Sequence, residues 1–198
     1  WKMSKYCFIG APGVGKGTFA TLICKKLAFK HLSLGDIIRK ELNNKSKLGL
    51  EIERFVNTGR LIPTNLACKI IREEINKCDT GMIIDGFPRN VEQAEYLESC
   101  VPDIIPVYIH LDRNVAIQKL LGRRICAGCG QNFNVADVNH NGHMMPAILP
   151  DPNTCPLGNE KCSSSRDLIC RGDDTEETIA RRFDAFDTET GPVVDYYR

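Results

Sequence analysis

One glycine-rich run, Gly10-Ala11-Pro12-Gly13-Val14-Gly15-Lys16-Gly17-Thr18, limits what this chain can fold into more than any other stretch. The apolar segment Tyr6-Cys7-Phe8-Ile9 precedes it, and the spacing of Phe19, Leu22, Ile23 and Leu27 after it predicts a helix with those four on one face. A strand, a glycine-rich turn and a helix opening on Lys and Thr is the layout of a phosphate-binding loop. Glycines leave successive backbone N–H groups uncovered, so they can converge on one concavity. The helix N-terminus adds partial positive charge and Lys16 a full one. Gly13, Val14, Gly15, Lys16, Gly17 and Thr18 are therefore the candidates for holding a nucleoside triphosphate. The strict pattern places Ser or Thr directly after the Lys; here Gly17 intervenes.

At 198 residues the chain can hold one sizeable core, or one core with inserted lobes. Its net charge of +1 marks neither a nucleic-acid binder nor a membrane-surface binder. No apolar run approaches the ~20 residues that span a bilayer. The opening Trp1-Lys2-Met3 has no signal-like apolar stretch and reads as a trimmed start. Of the ten cysteines, Cys7, Cys24, Cys68, Cys78 and Cys100 are scattered, and the others cluster between Cys126 and Cys170. Clustered cysteines in a nucleotide-binding chain point to a reducing compartment and a metal rather than to disulfides. The cytoplasm is the expected location, with a mitochondrial or other organellar matrix as the alternative.

Along the chain, His31-Leu32-Ser33 suits a brief strand, and Ser33-Leu34-Gly35-Asp36 reads as a capping box. Further helices are expected from about Leu48 to Thr58-Gly59, from Pro63 in its first turn through Leu66, Ile70, Ile71 and Ile75, and through Val115 to Leu121. Met82-Ile83-Ile84-Asp85-Gly86 reads as a buried parallel strand, and Val107-Tyr108-Ile109-His110-Leu111 as the next strand, with Pro106 at its start. Strands separated by helices imply an α/β fold with a doubly wound parallel sheet. Residues 123–172 break the rhythm and read as an inserted lobe with little periodicity. Helix is expected again over Glu176–Thr188, with Ile179, Phe183 and Phe186 inward, and over Pro192–Tyr197.

Asp85 ends a core strand, where open α/β sheets bind ligands. Beside a phosphate loop such an acid commonly holds Mg²⁺ through water, because Mg²⁺ dehydrates reluctantly. Directly after it runs Gly86-Phe87-Pro88-Arg89-Asn90, with Gln93 one turn on. Together with the glycine-rich loop, this segment closely resembles the adenylate kinase family of nucleoside monophosphate kinases. The likeness extends through Leu34-Gly35-Asp36 and Arg39, Gly59-Arg60-Leu61-Ile62, Gly122-Arg123-Arg124, and Arg171-Gly172-Asp173-Asp174 with Arg182.

The resemblance implies reversible transfer of the γ-phosphoryl of Mg-ATP or Mg-GTP to AMP, with no nucleic-acid or membrane partner, by a monomer. It also implies a core of residues 1–33, 63–122 and 172–198, a helical monophosphate lobe of 34–62 and a lid of 123–171. Leu34, Arg39, Arg60, Leu61, Ile62, Gly86, Arg89, Gln93, Arg171 and Arg182 would bind the monophosphate, with Gln93 reading its base. Arg123, Asn132 and Phe133 would meet the triphosphate, and Lys16, Arg89, Arg123, Arg171 and Arg182 would surround the transferring group. Lid closure would exclude water as a competing acceptor. The chemistry suits these residues. A monophosphate, with a second pKa of about 6, is already largely ionised at pH 7 and needs no general base. Positioning and positive charge are what the transfer requires.

Cys126-Ala127-Gly128-Cys129-Gly130 has the spacing of half a zinc knuckle. Cys155 and Cys162 are wider apart than the usual second half. Some members of the family carry a four-ligand zinc in the lid, which makes Cys126, Cys129, Cys155 and Cys162 the natural set, with His140, His143 and Cys170 as substitutes and unligated thiols as the rival. Three departures from the family pattern stand out. Leu34 replaces the usual Thr, Lys119 replaces an Arg near the triphosphate's base, and the family pattern would add a strand and a helix after Arg198. Three rival readings are weaker. A regulatory phosphate-loop GTPase is one, since Asn76-Lys77-Cys78-Asp79 matches its guanine-reading motif, but here the motif lies between a helix and the strand ending at Asp85, whereas in GTPases it follows a later strand. Asn90 also occurs in UMP/CMP kinases, whose lid is short. A zinc-knuckle module for nucleic acid would need a basic, aromatic-studded surface that the lid segment lacks.

Overall fold

A computed structural model describes residues 4–56, 61–150, 168–172 and 174–198. Thr58-Gly59, Arg60, Cys155 and Cys162, each named by the sequence, lie outside these residues. The chain forms two compact units, Trp1–His110 with Arg181–Arg198, and Leu111–Ala180.

The first unit is built on a parallel sheet of β1 (Lys5–Ile9), β2 (Lys30–Ser33), β3 (Met82–Asp85) and β4 (Ile104–Tyr108), in the order β2-β3-β1-β4. Phe8 lies opposite Asp85 on β3, and Ser33 on β2 lies opposite Asp85 from the other side. After β1 the chain leaves toward β2; after β3 it leaves toward β4. The two connections diverge from neighbouring strands, which opens a crevice at their carboxyl ends. The helices in the Trp1–His110 part of this unit are α1 (Lys16–Leu27), α2 (Leu34–Asn43), α3 (Lys47–Val56), α4 (Thr64–Asn76) and α5 (Val91–Cys100). The core holds Leu32, Ile71, Met82, Ile84, Phe87 and Leu97, none more than 2 % exposed.

Two expectations are corrected here. The face of α1 that meets the sheet carries Ala20 and Cys24, with Ile23 partly buried, packed on Phe8 and Ile83. Phe19, Leu22 and Leu27 are 47 %, 60 % and 51 % exposed. Small side chains let a helix approach a sheet closely, so the face with the larger apolar residues is turned away. Strand β4 begins at Ile104 rather than Val107, with Pro106 inside it. β4 is an edge of this sheet, and the Ile109 N–H donates to the Ile9 carbonyl. Backbone N–H groups alternate sides, so Pro106 removes a donor from the side facing away from β1.

Capping explains the helix starts. Ser33 Oγ accepts from the Asp36 N–H at 3.2 Å, as the capping reading expects. Asn90 Oδ1 accepts from the Gln93 N–H at 2.9 Å and starts α5, a helix the sequence reading did not mark. Pro63 is the residue before α4 rather than inside its first turn.

In the second unit, α6 (Arg113–Leu121) leads into short antiparallel strands: β5 (Arg123–Cys126), β6 (Asn132–Asn134), β7 (Val138–His140), β8 (His143–Met145) and β9 (Leu168–Ile169). They form a β6-β5-β9 sheet and a β7-β8 hairpin, so the segment that lacks periodicity holds strands too short to show one. Cys126, Phe133, Cys129 and Leu168 make its small apolar cluster. Helix α7 (Glu176–Ala185) buries Ile179 and Phe183 and then widens into a π-helical turn, Phe186–Thr190. Phe186 begins that turn and is only partly buried. A short α8 (Gly191–Tyr196) follows.

Candidate active site

The glycine-rich loop joins β1 to α1 in the first unit. Gly15 caps α1 with φ 90°, a conformation that favours glycine, and makes no side-chain capping hydrogen bond. Lys16 folds back over the loop: its ammonium donates to the carbonyls of Gly10 at 2.7 Å and Ala11 at 2.8 Å. A positive charge thus stands at a helix N-terminus that has no side-chain cap, an arrangement made for anionic oxygens. Val14 is buried beneath the loop, and Thr18 is exposed.

The Asp85 carboxylate, at the end of β3, comes to this loop. A Cβ on Gly17 would sit 3.1 Å from Asp85 Oδ2, so the side chain that Gly17 lacks would crowd the acid. One carboxylate beside a phosphate loop is the donor set Mg²⁺ takes when substrate oxygens and water complete its shell. His31, which the sequence reading used only as a strand residue, puts Nε2 3.7 Å from Asp85 Oδ2. That nitrogen is buried without a hydrogen-bond partner among the described residues.

The loop after β3 gathers the monophosphate candidates of this unit. Arg89 Nε donates to the Gly86 carbonyl at 3.0 Å. A Cβ on Gly86 would lie 3.4 Å from Arg89 Nη2 and 3.9 Å from Leu34 Cβ. Arg39 stands over Gly35, whose missing Cβ would be 3.3 Å from its guanidinium, and pairs with Asp36. Burial pulls the Arg89 guanidinium below its ordinary pKa; Asp85 opposes that fall, the neighbouring Arg39 adds to it, and Glu189 opposes it. Two cations held this close form a site that an anion completes. Gln93 is 2 % exposed and accepts the Arg89 N–H at 2.8 Å. Leu61 is partly buried, Ile62 belongs to the core, and Arg182, on α7, is partly buried.

In the second unit, Arg123 grips Asp174 through two nitrogens, with Nε to Oδ2 at 2.6 Å, and the Asp174 side chain is 2 % exposed. The Arg171 carbonyl accepts the Asp174 N–H, tying that turn to the same pair. Asn132 is exposed, and Phe133 is 6 % exposed within the cysteine cluster. The Gly130 N–H donates to the Cys126 carbonyl at 2.8 Å, and the Cys126 N–H to the Gln131 carbonyl at 2.9 Å. The two cysteines therefore share one tight turn. Among the described residues no group of three potential ligands is close enough to hold a metal. Lys119 donates to the carbonyls of Ala136, Met145 and Pro146 at 2.9, 2.7 and 3.3 Å, so its three hydrogens are committed to backbone.

A sequence profile for the family described as adenylate kinase matches residues 8–198. The chain belongs to the adenylate kinase family. Its relatives include a GTP:AMP phosphotransferase of Plasmodium falciparum, 38 % identical over 193 residues, which are 96 % of this chain and 82 % of the relative. An adenylate kinase of Clostridium kluyveri is 34 % identical over 202 residues, covering 98 % of this chain and 86 % of the relative. A probable chloroplastic adenylate kinase 6 of Arabidopsis thaliana is 36 % identical over 203 residues, 98 % of this chain but 65 % of that protein. The adenylate kinase family is one of phosphotransferase enzymes, and this chain is a kinase of that family. No helix among its described residues is long and apolar enough to cross a membrane.

Proposed function

We propose that this member of the adenylate kinase family moves the γ-phosphoryl of ATP or GTP reversibly onto AMP. The observation that carries the reading is the convergence, within one unit, of Lys16 on its loop, the Asp85 carboxylate beside Gly17, and Arg89 with Arg39 at Gly86 and Gly35. Asp85 is the residue that would hold Mg²⁺, through water; the ion neutralises phosphate charge when bound. Lys16 and the loop N–H groups bind the donor's phosphates, and Arg39 and Arg89 bind the acceptor's phosphate. Holding two polyanions in line is most of the catalytic task, because phosphoryl transfer is governed by positioning and charge.

Gln93 favours an acceptor with a ring-nitrogen lone pair. Its Oε1 accepts the Arg89 N–H, which orients the side chain and leaves the amide NH₂ available to face a base. That NH₂ can donate to N1 of adenine, whereas guanine and uracil present an N–H at the matching edge; cytosine offers N3 in the same way, and its smaller ring has to be rejected by fit rather than by this bond. Arg123, Arg171 and Arg182 are assigned to the transferring group, and Asn132 with Phe133 to the donor nucleoside, in a lid of residues 123–171. The monophosphate lobe of 34–62 also supplies Arg60, Leu61 and Ile62. Both donors stand: one relative is a GTP:AMP phosphotransferase and others are adenylate kinases. Cys126 and Cys129 on one turn provide half of a zinc site that Cys155 and Cys162 would complete, and the metal would brace a lobe with a small apolar cluster.

Arg89→Ala tests the assignment. Turnover should fall about a hundredfold or more with the circular dichroism spectrum unchanged, because the lost charge acts on the transferring group. Near-normal turnover in that variant would remove the basis of the reading.

A further inference from the structure

We infer that Thr190, the last residue of the π-helical turn, is a positioning residue for Arg89. The inference rests on the assignment of Arg89 to the phosphoryl site. Thr190 is a buried polar residue, 7 % exposed, and its hydroxyl donates at 2.9 Å to the Arg89 main-chain carbonyl, 101 residues away in sequence. The opposite side of the same residue is also held, since the Arg89 N–H donates to Gln93 Oε1 at 2.8 Å. The segment from Gly86 to Asn90 belongs to no strand or helix. Side-chain bonds therefore set its path, and Thr190 and Gln93 clamp Arg89 from its two peptide groups. The guanidinium is then aimed by a fixed backbone, with Nε donating to the Gly86 carbonyl at 3.0 Å.

The π-helical turn presents this hydroxyl. The Gly191 N–H donates to the Phe186 carbonyl, five residues back, so one turn of the helix is wider than an α-turn. Such widenings are rare and are frequently found at functional sites. Glu189, in the same turn, acts electrostatically on the Arg89 guanidinium and, after Asp85, opposes part of the fall that burial imposes. One widened turn thus carries the hydroxyl that holds the Arg89 backbone. A hydroxyl that only filled space could be replaced by a methyl group at little cost. A hydroxyl that places an arginine cannot, because a displacement of about 1 Å can cost about a hundredfold in rate.

The experiment compares Thr190→Val, which keeps shape and removes the bond, with Thr190→Ser, which keeps the bond. Each is measured in the full chain with ATP, AMP and Mg²⁺, alone and combined with Arg89→Ala. Thr190→Val should lower kcat about tenfold with KM for ATP within about twofold, and Thr190→Ser should stay within about twofold of the parent. In the Arg89→Ala background the Val substitution should cost no more than about twofold, since there is no arginine left to misplace. Wild-type turnover in a folded Thr190→Val protein overturns the inference, as does a full tenfold loss that persists without Arg89. If Thr190→Val does not fold, Thr190→Ala, judged by circular dichroism, is read by the same criteria. Near-normal turnover of Arg89→Ala alone would remove the underlying assignment and the inference with it. A dead Arg89→Ala beside an unaffected Thr190→Val would remove the inference alone.

Discussion

At the residue scale, the site depends on a close approach. Gly17 is glycine because Asp85 Oδ2 would lie 3.1 Å from its Cβ, and the acid's place is set by β3 pairing with β1. Gly17→Ala should push the carboxylate aside without disturbing the core. The expected result is a half-saturating Mg²⁺ concentration raised about tenfold, as for other substitutions that disturb a metal-orienting group. Mn²⁺ binding followed by electron paramagnetic resonance should weaken in parallel, and unchanged Mg²⁺ dependence would contradict the role given to Asp85. Lys16 and Asp85 were marked in the sequence by their local setting, a glycine-rich loop and a strand end, and Arg89 by the family likeness. Thr190 was not, because its partner is a backbone carbonyl 101 positions away and no local spacing encodes it.

At the element scale, the α2 and α3 pair shows two opposing effects. Gly49 lies in α3, where replacing glycine by alanine would ordinarily stabilise a helix by about 1 kcal/mol. Here a Cβ would sit 2.2 Å from the Glu41 carbonyl oxygen, in the backbone of α2. Overpacking of this kind costs about 1–3 kcal/mol, so Gly49→Ala should destabilise on balance, read as a lower denaturant midpoint. A higher midpoint would mean that α2 and α3 are less closely packed. The cysteine turn belongs to this scale as well. If it carries half of a zinc site, purified protein should contain about one zinc per chain, and Cys126→Ser should lose it. Metal-free protein with unchanged stability would favour plain thiols. Most elements follow from the pattern of the sequence. The face of α1 did not, because Phe19, Leu22 and Leu27 satisfy the helical period while Ala20 and Cys24 make the contact. Periodicity marks an apolar side; closeness of approach decides which side is used.

At the scale of the whole molecule, buried thiols tie stability to alkaline pH. Burial pushes Cys7 from 9.0 to about 12 and Cys68 from 9.0 to about 11. Both are neutral in the folded chain and ionise more readily once unfolded. Their contribution is therefore complete below about pH 9 and is lost as pH rises toward 11–12. The denaturant midpoint should fall through that window, and Cys7→Ala should flatten part of the fall. A midpoint independent of pH there would mean that these thiols are reached by water.

The doubly wound plan was legible because strands and helices alternate along the first part of the chain, and the family likeness supplied the arginine roles. The strands of residues 123–150 and 168–169 were not, since two- to four-residue strands cannot display a period. The central claim is transfer to AMP, and product analysis tests it most directly. The full chain is incubated with Mg²⁺, ATP or GTP, and each of AMP, CMP, UMP and GMP, and the nucleotides are separated by chromatography. ADP formed from AMP, with the other three monophosphates left unconverted, is the expected result, and the faster triphosphate identifies the donor. Slow triphosphate hydrolysis with no monophosphate phosphorylated would contradict the account.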